Sequence, residues 1–100
     1  MEYTVPLSAT PNQQLITNLS NQRCLITVRT MGDDMFFTLE LPEGVVCENV
    51  LCVDRSQLVR AEYTGFIGDL AFIDIDGNDS PKYEGLGTRW FLVYDTEGFK

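Results

Sequence analysis

The feature that most constrains the fold is the spacing of short apolar or alternating runs, which turn residues interrupt every 8 to 12 residues or so. No stretch shows the 3.6-residue apolar period of an amphipathic helix. Arg23 to Thr30 instead alternates with the period of a half-buried strand and places Cys24, Ile26 and Val28 on one face. The pattern predicts an all-β fold, a small antiparallel barrel or sandwich of about seven or eight short strands.

Turn residues predict where these strands reverse. Met31-Gly32-Asp33-Asp34 indicates a hairpin, and the β-favouring run Met35 to Leu41 follows it. Pro42-Glu43-Gly44 predicts the next reversal. Val45 to Val53 is the longest apolar stretch, and Glu48-Asn49 interrupts it, which allows two short strands in place of one.

The last predicted strand, Thr88 to Tyr94, carries large apolar side chains on both faces. Alternation puts one set, Trp90, Leu92 and Tyr94, opposite another, Phe91 and Val93. Such a strand either is central in its sheet or presents one face to a partner. We expect a single β domain over residues 1–100, in which residues 95–100 form a frayed tail.

The charge of the chain restricts its partners. Fifteen acidic and 7 basic residues give a net charge of −8, and the basic residues are scattered singly. Phosphate contacts supply most non-specific affinity for nucleic acid, so we expect no nucleic-acid partner. The longest apolar runs are about five residues, far short of the ~20 that span a bilayer, so we expect no membrane role. The acidity would steer the chain towards basic protein surfaces.

Residues for catalysis or metal binding are scarce. The chain has no histidine, the commonest general base and metal ligand. Its three cysteines, Cys24, Cys47 and Cys52, form neither a disulfide framework nor a zinc-site spacing, and we interpret them as small buried hydrophobes. This usage indicates a reducing cytosol, or a particle assembled there.

The acidic run Asp74 to Asp79 suggests calcium, since hard oxygen ligands at alternate positions suit that ion. An EF-hand loop, however, has glycine at position 6 and glutamate at position 12. Counting from Asp74, Gly77 stands at position 4 and Gly85 at position 12. We therefore interpret the run as a turn, and expect no metal, no cofactor and no catalytic residues.

Several segments also occur in an order and spacing that match a known family. In the first half they are Tyr3-Thr4-Val5-Pro6-Leu7, Thr10-Pro11-Asn12-Gln13, Asn21-Gln22 and Leu25 to Arg29. In the second half they are Gly65 to Leu70, Asp74 to Asp79, Ser80 to Tyr83, Leu86 to Arg89 and Leu92-Val93-Tyr94. With them the chain resembles the baseplate plug proteins of contractile-tailed phages (myophages). The segment Val45 to Val53 departs most from that pattern.

The resemblance implies a virion structural protein at the centre of the tail baseplate, which organises or closes the assembly near the hub and tail tube. Its implied partners are other baseplate proteins (hub, tail tube or tube initiator, wedge), and its implied site of assembly is the host cytoplasm. We expect a symmetric multimer formed through strand edges. The interaction residues that we predict are Phe66, Ile67, Tyr83 and Trp90.

Two other functions stay open at the level of sequence. The first is a free-standing acidic cytosolic binding module, such as an inhibitor, an adaptor or a nucleic-acid mimic. Carboxylates clustered on one face and a stable monomer would favour it. The second is an enzyme that uses carboxylates alone, which would need a close pair of them in a real pocket.

Overall fold

The computed structural model describes residues 2–59 and 66–96. This part of the chain contains no α-helix, only a 3-10 turn at Tyr83–Gly85, and no helix in it is long and apolar enough to cross a membrane. The strands are β1 (Glu2–Val5), β2 (Asn12–Leu19), β3 (Gln22–Met31), β4 (Asp34–Leu41), β5 (Gly44–Leu51), β6 (Asp69–Asp74) and β7 (Trp90–Asp95).

The seven strands form two antiparallel sheets. Strands β2, β3, β4 and β5 pair in chain order, while the smaller sheet has the order β1-β7-β6. One hydrophobic core includes buried side chains of both sheets, so the sheets pack face to face as an open sandwich. The predicted all-β antiparallel fold is confirmed, in its sandwich form and not as a closed barrel.

Short turns set the register of the larger sheet. Ser20 and Asn21 connect β2 to β3 with φ angles of 52° and 61°, the pair of positive values that a two-residue type I′ hairpin requires. Gly32 and Asp33 connect β3 to β4, and Met31 pairs with Asp34 across this turn. The hairpin predicted at these residues is therefore confirmed.

The long apolar stretch forms one strand with an irregularity, and not two strands. In β5 the register against β4 shifts twice, between Phe37 and Leu39 and between Leu39 and Glu40. Asn49 lies in this part of β5 with φ of 51°, and its N–H donates to the Thr38 hydroxyl at 3.0 Å. The polar pair that interrupts the run in the sequence thus becomes a local distortion of a single strand.

Alternation correctly predicted which faces point inwards. Cys24, Ile26 and Val28 of β3 are fully buried in the core. Burial of such an aliphatic side chain stabilises the fold by about 1.5–3 kcal/mol. Strand β7 lies between β1 and β6, so its two apolar faces are those of a central strand.

The outer edge of β6, which faces away from β7, is covered by residues 54–58. The N–H of Arg55 donates to Phe72 O at 2.8 Å, and the N–H of Leu58 donates to Leu70 O at 2.9 Å. The sequence from Leu58 to Tyr63 is also typical of a further strand or a bridging segment, and its residues 60–63 lie outside the described residues. Strand β7 continues to Asp95, and the end of the predicted tail, 97–100, also lies outside them.

Candidate interaction surfaces at the two ends of the sandwich

The turns gather at two opposite ends of the sandwich. The Ile67 end comprises the β2–β3 turn, the β4–β5 turn and residues 66–68. The loop end comprises the β3–β4 turn, residues 6–11 and the β6–β7 connection, 75–89. Loops at the ends of a rigid sandwich are where binding residues usually lie, so we describe each in turn.

At the Ile67 end, the backbone of Ile67 is fixed on both sides. The amide side chain of Gln22 accepts the N–H of Ile67 at 2.8 Å and donates to its carbonyl at 3.2 Å. The Tyr94 hydroxyl donates to the same carbonyl and lies 2.9 Å from the hydroxyl of Ser20. The Ile67 side chain itself is 53% exposed. The result is an apolar group held in place and directed to solvent, which lowers the entropy cost of binding a partner.

Gly68 makes this arrangement possible. Its φ of +92° belongs to a region that side chains other than glycine rarely adopt. A Cβ atom there would lie 2.4 Å from Asp95 O and 2.8 Å from the Tyr94 ring. The loop therefore requires glycine both for its backbone angle and for its close approach to β7.

The loop end is organised by a buried carboxylate. Asp74 is fully buried at the end of β6, and it accepts Nε and Nη2 of Arg89 at 2.8 Å each. It also accepts the N–H groups of Asp76 and Asp79 at 2.9 Å each. The Arg89 guanidinium holds the pKa of Asp74 well below its usual range, although burial acts in the opposite direction. One carboxylate thus fixes both sides of the β6–β7 connection.

A second arginine fixes the tip of the same connection. The Arg55 guanidinium contacts the Asp54 carboxylate and donates to Gly77 O and Asn78 Oδ1 at 3.3 Å each. It also donates to Asp74 O at 3.2 Å. The turn predicted at Asp74 to Asp79 is therefore held by arginines, and in the described residues no three acidic or cysteine side chains form a group suited to a metal ion.

The loop end also displays carboxylates to solvent. Five exposed acidic residues lie there: Asp33, Asp34, Asp76, Asp79 and Glu84. One exposed lysine, Lys82, is beside them and donates from its ammonium group to Asp33 O. The end is consequently an acidic surface on a rigid frame, suited to a basic partner surface.

The four predicted interaction residues do not come together. Ile67 is exposed at one end, whereas Phe66 beside it is buried and packs edge-to-face on Tyr94 with ring centroids 5.8 Å apart. Tyr83 and Trp90 lie at the loop end, half-buried and buried respectively. In the isolated chain Ile67 is therefore the most exposed of the four side chains. Contact of any of the four with a partner stays a prediction.

Trp90 has a structural role that the sequence did not indicate. Its indole N–H donates to Asp79 O at 3.0 Å, and the Arg89 guanidinium lies 4.5 Å from the ring centroid. Gly85 lies against the ring, where a Cβ atom would come within 2.4 Å of it. The roles of Arg55 and Arg89 could not be predicted from the sequence either, since their spacing from Asp74 forms no recognisable motif.

The cysteines are held in the thiol form. All three are free, and burial raises the pKa of Cys24. Burial likewise raises the pKa of Cys47 to about 11 and that of Cys52 to about 12. A nucleophilic cysteine needs the opposite shift, so these thiols behave as small core side chains at neutral pH.

Comparison with protein-family models places this chain among the structural proteins of the phage tail baseplate. The matching family is described as cyanophage baseplate Pam3 plug gp18, and the match covers residues 2–97. The chain therefore belongs to that family, which confirms the resemblance seen in its sequence. A search of curated proteins gives no match.

Family membership gives the general role of the molecule. The chain is a structural component of the virion tail and interacts with other baseplate components. The family is one of structural proteins of the baseplate. This role agrees with a sandwich whose buried ionic and polar groups serve to fix loops.

Proposed function

We propose that the chain occupies the centre of the baseplate, near the hub and the start of the tail tube, and helps to organise or close the assembly there. It would take this place as a symmetric multimer, assembled in the host cytoplasm, with hub, tube or tube-initiator and wedge proteins as its partners. The observation that carries the proposal is the match to a plug family over almost the whole chain, residues 2–97.

The two ends give this proposal a physical basis. The Ile67 end offers a preorganised apolar contact. The loop end offers five exposed carboxylates, and the ion pair of Asp74 with Arg89 fixes the β6–β7 connection that carries three of them. A net charge of −8 favours partners with basic patches and would steer their association. A component with an exposed isoleucine at one end and a group of carboxylates at the other can contact different neighbours along an axis.

Zero-length cross-linking of purified tail particles tests the proposal. A carbodiimide joins a carboxylate to a lysine amine that touches it, so it reports direct ionic contacts. We expect cross-links from Asp76, Asp79 or Glu84 to lysines of hub, tube or tube-initiator proteins. Cross-links solely to peripheral baseplate proteins, or to none, would contradict the central position.

A further inference from the structure

In the part of the chain that the structure describes, three of the four sheet edges are protected against pairing with another chain. In the larger sheet, β5 is distorted by its register shifts and by the positive φ of Asn49. In the smaller sheet, β6 is covered by Asp54 to Leu58, and β1 has four residues and ends at Pro6. Bulges, covering segments, short length and proline are the usual devices that prevent edge pairing.

The edge strand β2 has none of these devices. Its eight residues, Asn12–Leu19, pair with β3 in an unbroken register from Asn12↔Arg29 to Leu19↔Gln22. They include no charged residue, no proline and no glycine. Among the described residues, no strand pairs with the outer edge of β2. A long, regular, uncharged edge is a template for a further strand.

The hairpin determines which backbone groups face that edge. A two-residue turn makes its flanking residues, Leu19 and Gln22, a hydrogen-bonded pair. Alternation then directs the N–H and C=O groups of Gln14, Ile16 and Asn18 away from β3 and towards the open edge. Asn12 follows the same alternation, but its carbonyl already accepts the Thr10 hydroxyl at 3.4 Å.

The side chains of β2 are complementary to those of a second β2. Ile16 is 58% exposed on the outer face of the sheet, directly across from Leu25 of β3. Gln14 and Asn18 flank it on the same face, and an amide can both donate and accept. A second copy would therefore cover Ile16 with an isoleucine and meet each amide with another amide, without opposing charges.

We propose that β2 of one chain pairs with β2 of a second copy in antiparallel orientation, centred on Ile16. In this register Ile16 lies opposite Ile16 of the second copy, and Gln14 lies opposite its Asn18. Each of these residues then donates and accepts one backbone hydrogen bond, so the two four-stranded sheets become one continuous sheet. The arrangement has a two-fold axis, the commonest symmetry of homo-oligomers.

A groove on the same side of the sandwich favours a second copy over a lone strand. Tyr3 to Pro6 and Thr17 to Asn21 line an open groove of about 510 Å³ between β1 and β2. A second sandwich seated on β2 would extend over this groove and add contacts beyond the strand pair. The acidic surface stays clear of the axis because its residues lie on the β3–β4 turn and the β6–β7 connection. The inference rests on the proposed function for its setting in a symmetric assembly.

Charge placed at the edge tests the pairing in the purified full chain. Sedimentation from about 10 μM to 1 mM measures the mass of the wild type, Ile16→Lys and Val45→Lys. Val45 is a matched control because it is also β-branched, is 53% exposed and lies on the opposite edge strand. We expect a wild-type dimer, an unchanged Val45→Lys dimer, and a Kd at least about tenfold higher for Ile16→Lys, since lysine blunts a sheet edge. A wild type monomeric throughout, or a dimer that survives Ile16→Lys, would overturn the proposal.

A disulfide keeps the test decisive if Ile16→Lys folds poorly. Directly opposed residues of a hydrogen-bonded pair have Cα atoms about 5.5 Å apart, within disulfide range. We expect Ile16→Cys to form a covalent dimer under mild oxidation and Val45→Cys to stay monomeric. Cys47 and Cys52 should not compete, because burial raises their thiol pKa values to about 11 and about 12. Equal disulfide cross-linking of Ile16→Cys and Val45→Cys would exclude this register. Absence of the chain from tail particles is a separate outcome, and it would count against the proposed function.

Discussion

The two ends of the sandwich differ in the side-chain chemistry that fixes their loop backbone. At the Ile67 end, neutral groups of Gln22 and Tyr94 fix the backbone of Ile67, and the Ile67 side chain left in solvent is apolar. At the loop end, buried Asp74 and two arginines fix the β6–β7 connection, and a group of acidic side chains is left in solvent. The same fold thereby presents two chemically distinct surfaces.

The two ends also differ in the side chains that satisfy their backbone groups. At the Ile67 end the single amide side chain of Gln22 supplies an acceptor for the N–H of Ile67 and a donor for its C=O. At the loop end, the Asp74 carboxylate accepts two loop N–H groups, and the Arg55 guanidinium donates to the carbonyls of Asp74 and Gly77. Charge-assisted hydrogen bonds are also stronger than neutral ones. We therefore expect the stability of the loop end to depend on charge, and the stability of the Ile67 end to depend on close packing.

The largest effect is expected for Asp74→Asn. The substitution removes the charge that pairs with Arg89 and the second acceptor oxygen that binds a loop N–H. Breaking a buried ion pair by changing one partner is strongly destabilising. We expect Tm to fall by about 15 °C or more, measured by thermal unfolding. The exposed Asp76→Asn is the matched control, and equal losses in the two variants would contradict the central role of Asp74.

A smaller effect is expected for Gly68→Ala at the Ile67 end. The added Cβ would clash with Asp95 O and also occupy a φ of +92°. Gly32→Ala is the control, because Gly32 has a φ of +63° but nothing within 4 Å of the added atom. Denaturant unfolding should show a loss of roughly 1 kcal/mol for Gly32→Ala and roughly 2–3 kcal/mol for Gly68→Ala. Equal losses would show that only the backbone angle matters.

The acid dependence of stability should distinguish the two ends further. Because folding lowers the pKa of Asp74, its contribution to stability is present above the unfolded value of about 4 and is lost as pH falls towards the folded value. The wild type should therefore lose stability between about pH 4 and 2 more steeply than Asp74→Asn. Parallel curves for the two proteins would show that this ion pair does not set acid stability.

The smallest effect on stability, and a clear one on assembly, is expected for Ile67→Ser. The Ile67 side chain is exposed, so the free energy of unfolding should change by less than about 0.5 kcal/mol. Incorporation into tail particles should fall, because an apolar contact is lost. Leu51→Ser is the control, since Leu51 is 45% exposed and is the last residue of β5, at the opposite end of that strand from the β4–β5 turn. Normal incorporation of Ile67→Ser would remove the Ile67 end from the interface.

Local patterns predicted much of the fold. The β3–β4 hairpin followed from Met31-Gly32-Asp33-Asp34, and the central position of β7 agrees with its two apolar faces. These features depend on residues within a few positions of one another, where alternation and turn chemistry act directly.

Long-range pairing could not be predicted in this way. Asp74 meets Arg89 only because the β6–β7 register sets Asp74 beside Trp90, and nothing in the spacing indicates it. Phe66 and Ile67 are neighbours of equal apolar character, yet one is buried and the other exposed. Hydrogen bonds from Gln22, far away in sequence, help to hold that loop.

The most direct test of the central claim is quantitative mass spectrometry of purified tailed particles from the phage that encodes this chain. As a baseplate component, the chain should be present at a fixed copy number that is low relative to tube and sheath proteins. Its absence from particles, together with abundance in the soluble lysate, would contradict the baseplate role and favour a free-standing binding protein.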